Sequence, residues 1–222
     1  MKEVTGLLVM DVDGTLIQQE GIDLLAQEAS VGQKVAEITA QAMNGELDFK
    51  ASLQARVALL KGLEASIFPK IIEQMDVTPG AKTLITELHQ RGYKVGLVSG
   101  GFHEVIDPIA RSLGIDLVRA NRLQTFDGRL TGKVLGEIVT PERKKDSLLT
   151  WVRENHIPRS QTIAMGDGAN DLPMIETAGI GIAFMAKPIV AERAPYRIET
   201  RDLSLVLEIL DQHRKETACI SY

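Results

Sequence analysis

Four short apolar runs constrain the architecture of this chain: "LLVM" (7–10), "YKVGLVSGG" (93–101), "TIAMGDG" (162–168) and "GIGIAF" (179–184). Helical patterns separate them. Short buried strands alternating with helices predict a parallel sheet covered on its faces. Three of the runs pass directly into Asp or Ser followed by Gly. Open parallel sheets bind ligands beyond the carboxyl ends of their strands. "DVDGT", "SGG" and "GDGAND", far apart in sequence, are therefore expected to meet at one edge.

The helix before the second run is predicted to start at Pro79, to carry Leu and Ile at helical spacing through "AKTLITELHQR", and to stop at Gly92. The stretch "RLQTFDGRLTGKV" (122–134) predicts a hairpin turning at Asp127–Gly128. Residues 17–76 differ. "IDLLAQEA", "KVAEITAQAM", "FKASLQARVALLKG" and "IFPKIIEQM" follow one another with no strand pattern between them. A helical block inserted there reads as a cap over the strand ends, one that excludes water and selects substrate. The expected division is a catalytic core of 1–16 and 77–222 with a helical cap of 17–76.

Bulk properties exclude some partners. Against 30 Asp+Glu stand 25 Lys+Arg, a net charge of −5 that disfavours nucleic acid or an anionic membrane surface. Cys219 is the single cysteine, so no intrachain disulfide forms, which fits a reducing cytoplasm. No signal-peptide pattern and no bilayer-length apolar run is present, and a cytoplasmic location is expected. His89, His103, His156 and His213 are scattered without zinc-ligand spacing. Monomer and homodimer both remain open.

Asp11 and Asp13 follow the first apolar run, and strand alternation points them to the same side. Two carboxylates that close repel unless a cation lies between them or they share a proton. A lone D-x-D is most simply a loop or capping pair. The alternative is a nucleophilic carboxylate with a neighbouring acid/base, bridged by a divalent metal. Attack on a phosphoryl group would give an aspartyl phosphate and split one displacement into two easier ones. Mg²⁺ takes oxygen ligands and keeps several waters, so one or two carboxylates suffice.

Three further places offer matching chemistry. Ser99 is either a turn serine or, with the Gly100 N–H, a phosphate-oxygen donor. A phosphate site also needs a cation; Lys144 and Lys145 in "TPERKKDSLL" both qualify, and periodicity does not separate them. "GDGAND" (166–171) lacks the closing glutamate of a calcium-binding loop. It reads better as a second acidic cluster, with Asp167 as ligand, Asp171 supporting and Asn170 near the substrate.

Taken together, "DVDGT" (11–15), Ser99-Gly100, a lysine at 144 and "GDGAND" resemble, in order and separation, the four motifs of the haloacid dehalogenase superfamily of phosphatases. "GTLIQQEGIDLLA", "VSGGF", "ANRL", "GDGANDLPMI", "IAFMAKPIV" and "RDLSLVL" are similar to its phosphoserine-hydrolysing branch. Many members of that branch have serine where Gly14 stands. The resemblance implies an α/β fold with a Rossmann-like parallel-sheet core and a small helical cap after the first strand. It implies Asp11 as nucleophile and Asp13 as general acid/base. Mg²⁺ would sit on Asp11, the Asp13 backbone carbonyl and Asp167. Ser99, Gly100 and Lys144 would hold phosphate, with Thr15 and Asp171 supporting.

The cap adds a clue of its own. Phe49, Leu53, Arg56 and Leu60 fall on one helical stripe, so Arg56 stands where an apolar residue is expected. It either snorkels to the helix edge or grips a carboxylate in the cavity. Glu20 is either a helix-dipole partner or the anion for an ammonium group. The resemblance implies that Glu20 and Arg56 read the amino and carboxylate groups of phosphoserine, with Met43 and Phe49 closing the pocket. The expected activity is Mg²⁺-dependent hydrolysis of O-phospho-L-serine. The alternatives are a related phosphatase or phosphotransferase acting on another small phosphorylated metabolite, a signalling receiver, and a metal-binding scaffold.

Overall fold

The computed structural model describes residues 4–43 and 46–220. The chain opens with β1 (Gly6–Met10), followed by α1 (Gly21–Glu28), α2 (Gly32–Met43), α3 (Phe49–Ala58) and α4 (Phe68–Glu73). Then come α5 (Ala81–Gln90), β2 (Tyr93–Phe102), α6 (His103–Leu113), β3 (Leu117–Phe126) and β4 (Arg129–Leu135). The remainder is α7 (Pro141–Glu154), β5 (Thr162–Gly166), α8 (Leu172–Ile175), β6 (Ile180–Phe184), α9 (Pro188–Arg193), β7 (Tyr196–Ile198) and α10 (Val206–Ile220).

Among the described residues, seven strands form one sheet in the order β4-β3-β2-β1-β5-β6-β7. Every neighbouring pair is parallel except β3–β4. The expected parallel sheet with helices on its faces is thus the observed fold. β1 is central and buried throughout, as an apolar run covered on both faces must be. Register then sets the edge: Met10 lies opposite Leu97 of β2 and Met165 of β5. β1 and β5 end at this level and release Asp11 and Asp167, while β2 runs on to Phe102 with Ser99 where its register against β3 shifts. The Asp11 N–H donates to the Met165 carbonyl at 3.0 Å, tying the first turn to β5.

Helices α1–α4 leave and rejoin this edge through one paired segment. Ile17 bridges Val77, the Thr78 N–H donates to the Leu16 carbonyl at 2.8 Å, and the Thr78 hydroxyl donates to the Thr15 carbonyl at 2.7 Å. Gln19 and Asp76 exchange two further bonds, 2.7 and 2.8 Å. The far side of the insert rests on the β3–β4 hairpin. Gly62 N–H donates to Leu130 O, Leu130 N–H to Leu63 O, and Ala65 N–H to Gly128 O, each at 2.8 Å.

Several boundaries differ from expectation for local reasons. α5 begins at Ala81 after Gly80, two residues beyond Pro79. α3 ends at Ala58 instead of running on to Gly62, because the chain turns there to meet the hairpin; Leu60 is buried all the same. The 17–76 stretch is not free of strand-like pairing, since Glu64 bridges Arg129. The hairpin turns at Asp127–Gly128 as expected, with both residues at positive φ, the geometry that suits a two-residue turn. Its strands extend further than expected, and the three-residue β7 was unmarked by any apolar pattern. Among the described residues no helix is long and apolar enough to cross a membrane.

Helix α8 packs so closely on β6 that a methyl group at Gly181 would meet the Ile175 carbonyl oxygen at 2.4 Å. Backbone cannot yield as a side-chain tip can. Gly181→Ala is expected to destabilise the fold by about 1–3 kcal/mol, the usual cost of overpacking, read from the denaturant midpoint.

Candidate active site

Lys144 anchors the site. Thr140 caps α7, its hydroxyl accepting the Arg143 N–H at 3.3 Å, and Pro141 opens the first turn. This sets the helix so that Lys144, Ser147, Leu148 and Trp151 face inward while Lys145 stays exposed. The ammonium is wholly buried, 2.7 Å from an oxygen of Asp11 and 2.7 Å from one of Asp171. Burial opposes its charge, yet the two carboxylates outweigh that and hold its pKa above the ordinary lysine range. Packing thus chooses Lys144 over Lys145.

Asp171 reaches this position from a tight loop. Its N–H donates to the Gly168 carbonyl at 2.9 Å and its Oδ2 accepts the Gly168 N–H at 3.1 Å. Both carboxylate oxygens are engaged, which makes it a support for Lys144 and for the loop. Asp13 accepts the Gly21 N–H at 3.1 Å, linking the first turn to the start of α1. Ser99 is buried and its hydroxyl accepts the Gly101 N–H at 2.8 Å. Thr15 is also buried, and its hydroxyl has no partner.

A cavity of about 550 Å³ opens over this edge. Its lining brings together Asp11, Asp13, Glu20, Phe49, Arg56, Gly100, Asp167 and Asn170. Ser99, Lys144, Thr15 and Asp171 lie behind that surface. The Met43 side chain falls outside the described residues. Asp48 caps α3 by accepting the Ala51 N–H at 2.7 Å, which places Phe49 at the first helical position. Phe49 comes so close to the Ser99–Gly101 turn that a methyl group on Gly100 would sit 3.2 Å from its ring. A side chain there would push the ring back by a few tenths of an ångström. Arg56 lies two turns on, its Nε donating to the Ser52 carbonyl at 3.4 Å.

Negative charge exceeds positive charge here. Desolvation, then the Asp171 charge, pushes the Asp11 carboxyl well above its usual range, against the pull of Lys144. Burial raises Asp13 to about 6, against the Gly21 N–H and Lys144, with Asp167 adding to the rise. Glu20 rises to about 7, first through desolvation by the cavity walls and then through Asp13, Asp167 and Asp23. Asp167 is raised by burial and by Asp171. Arg56 is lowered by desolvation, an effect that Glu20 and Asp23 oppose.

Such a cluster fits a divalent cation. Asp11, Asp167 and Asp171 each offer a carboxylate oxygen within 4.8 Å of the others, a hard-oxygen set with charge to spare. The expected set of Asp11, the Asp13 carbonyl and Asp167 shares two residues with it.

Three site residues escaped the sequence reading. Asn121 is buried under the Ser99–Gly101 turn; its Nδ2 donates to the Gly100 carbonyl at 2.7 Å and its Oδ1 accepts the Val139 N–H at 2.9 Å. It sits in a strand of mixed polarity, between Arg119 and Arg122, where no pattern singles it out. Asp23 and Lys187 line the cavity. Lys187 follows a strand end, the same cue that singled out Asp11 and Asp167.

The sequence model of the haloacid dehalogenase-like hydrolase family matches residues 8–176, and the chain belongs to that family. Phosphoserine phosphatase of Streptococcus thermophilus is 63% identical over 212 residues, 96% of this chain and 99% of that one. Two solved structures share the fold at a TM-score of 0.87, each covering 92% of this chain and 98% of the other. One is a phospho-aspartyl intermediate analogue of phosphoserine phosphatase, 44% identical, and the other a substrate-bound phosphoserine phosphatase complex, 43% identical.

Two outcomes test the electrostatics. Lys144→Ala leaves Asp11 and Asp171 buried without their cation and is expected to cost about 3–5 kcal/mol in a denaturant titration. Lys145→Ala should stay within about 0.5 kcal/mol of wild type. The second concerns pH. Asp13 binds its proton more tightly folded than unfolded, with a pKa of about 6 against 3.8. Its contribution to stability is present below the unfolded value and lost as pH rises through about 6. A divalent cation competes with those protons, so the melting-temperature gain from metal over chelator should be larger at about pH 7.5 than at about pH 5.

Proposed function

We propose that this chain is a phosphoserine phosphatase that hydrolyses O-phospho-L-serine to L-serine and phosphate through an aspartyl-phosphate intermediate. The observation that carries this reading is one cavity lined both by Asp11 and Asp13 and by the oppositely charged pair Glu20 and Arg56. The first pair suits phosphoryl transfer; the second suits the two charged groups of an amino acid. The 63% identity to the Streptococcus thermophilus enzyme over nearly the full length of both chains supports the substrate. The phospho-aspartyl analogue of a relative supports the covalent step.

In this mechanism the Asp11 carboxylate attacks phosphorus in line while Asp13 gives its proton to the departing seryl oxygen. Asp13, elevated to about 6 by burial, is suited to carry a proton near neutral pH and to release it. It then takes a proton from the water that attacks the aspartyl phosphate. Lys144 holds Asp11 in place and offsets its charge. The Ser99 hydroxyl, which accepts the Gly101 N–H and keeps its own proton to donate, and the Gly100 N–H, braced by Asn121 on the Gly100 carbonyl, are assigned to phosphate oxygens. Asp11, the Asp13 carbonyl and Asp167 would hold Mg²⁺, which when bound would neutralise phosphoryl charge.

We assign Glu20 to the substrate ammonium, Arg56 to its carboxylate, and Phe49 and Asn170 to the pocket around them. Thr15 and Asp171 have supporting roles. We keep the division into a core of 1–16 and 77–222 and a cap of 17–76; the bridge between Ile17 and Val77, one residue on either side of that division, supports it. A cytoplasmic place at the end of serine biosynthesis accords with this activity.

Asp11→Asn is expected to abolish phosphate release. Arg56→Ala removes a charge-assisted hydrogen bond and Glu20→Gln removes the charge on its acceptor, each worth about 1.5–3 kcal/mol, and each should lower kcat/KM for phosphoserine by about 10- to 100-fold. Turnover of an aryl phosphate, which lacks both groups, should hardly change. Equal losses on both substrates would remove the substrate assignment and leave a phosphatase or phosphotransferase of other specificity.

A further inference from the structure

The turn after β6 carries a charged side chain that the roles above leave unused. β6 is buried along its length and ends at the same edge as β1 and β5. The next residue, Met185, adopts a φ of 46°, unfavourable for a residue with a side chain. Its N–H donates to the Ile198 carbonyl at 2.8 Å, which holds the turn. Two residues on, the Lys187 N–H donates to the Asp167 carbonyl at 3.0 Å, and the Lys187 carbonyl accepts from Val190 and Ala191 at 2.9 and 3.0 Å. Both flanking peptides are fixed. The side chain therefore leaves a rigid base beside Asp167 and lines the cavity while remaining exposed.

Charge indicates what such a group would meet. Asp11, Asp13, Glu20, Asp23 and Asp167 line the cavity, against Arg56 and Lys187 as its lining cations. Lys144 is buried behind them and held by two carboxylates at 2.7 Å. Arg56 interacts with Glu20 and Asp23; Lys187 shares Glu20 with it but also interacts with Asp167, which lies in the Asp11 cluster. No ion pair or hydrogen bond holds its ammonium among the described residues. A phosphate monoester, carrying about −1.5 to −2 charge near neutral pH, must pass those five carboxylates. We propose that Lys187 is a phosphate-binding side chain whose exposed ammonium receives the phosphoryl group of the incoming substrate, and the released phosphate, on the Asp167 side of the cavity. This rests on the phosphatase reading of the site and not on which phosphoester is bound.

The test compares wild type, Lys187→Ala and Lys187→Arg, each loaded with divalent metal. Turnover of phosphoserine and of an aryl phosphate is measured beside the rise in melting temperature on adding inorganic phosphate. Lys187→Ala is expected to lower kcat/KM for both substrates by about tenfold, mainly through KM, and to reduce the phosphate-induced rise. Lys187→Arg should restore most of both, and all three proteins should melt alike without phosphate. Unchanged turnover and an unchanged phosphate response would overturn the proposal. A loss confined to phosphoserine would overturn it too, by placing the ammonium at the amino-acid end. So would a loss that arginine fails to restore together with a lower phosphate-free melting temperature, which marks a structural role. Wild-type activity on the aryl phosphate without activity on phosphoserine would sink the substrate assignment alone, and the Lys187 comparison would still be read on the aryl phosphate.

Discussion

Lys144 stands 2.7 Å from Asp11 and 2.7 Å from Asp171, wholly out of water, and its surroundings follow from the need to keep that charge compensated. An unpaired buried ion costs several kcal/mol. Three separate elements must therefore converge: the end of β1, the loop after β5 and the first turn of α7. Each is held locally, by the bond from Asp11 to Met165, by the Gly168–Asp171 loop and by the Thr140 cap. The cluster keeps negative charge in excess even so, because Asp13 and Asp167 add theirs with no second buried lysine among the described residues. That excess prepares the site for a cation.

The insert of α1–α4 is attached at two places of different kind. At Ile17 and Val77 two chain segments run side by side and exchange backbone and side-chain bonds. At Gly62–Ala65 backbone groups pair with the β3–β4 hairpin. Between these supports α3 presents Phe49 and Arg56 to the cavity, and α1 lies close to Asp13 through Gly21. Phe49, Arg56 and Asp13 thus line one cavity, with the start of α1 tied to Asp13 by the Gly21 N–H.

Legibility varied with the kind of signal. The β1 run and its two aspartates were readable because a strand buried on both faces admits no charge until it ends. The same cue picked out Asp167, while Ser99 was marked by the Ser-Gly pair after an apolar run. Lys144 and Lys145 could not be separated: from Lys144 the apolar spacing leads to Leu148 and Trp151, and from Lys145 to Leu149 and Val152. Both stripes fit a helix, and only packing against the sheet selects the first. Asn121 and the bridge from Glu64 to Arg129 were invisible for another reason. Each joins segments distant in sequence through bonds that need no periodic pattern.

By itself, the sequence determined the parallel α/β sheet, the helical insert after β1 and the acidic groups at the strand ends, since burial and periodicity act locally and leave a mark in residue order. The tertiary structure alone decided which lysine is buried, how the insert rests on the hairpin, and that Lys187 and Asp23 share a cavity with Glu20 and Arg56. Those outcomes depend on distances between elements far apart in the chain, set by strand register and side-chain packing once the whole sheet has assembled.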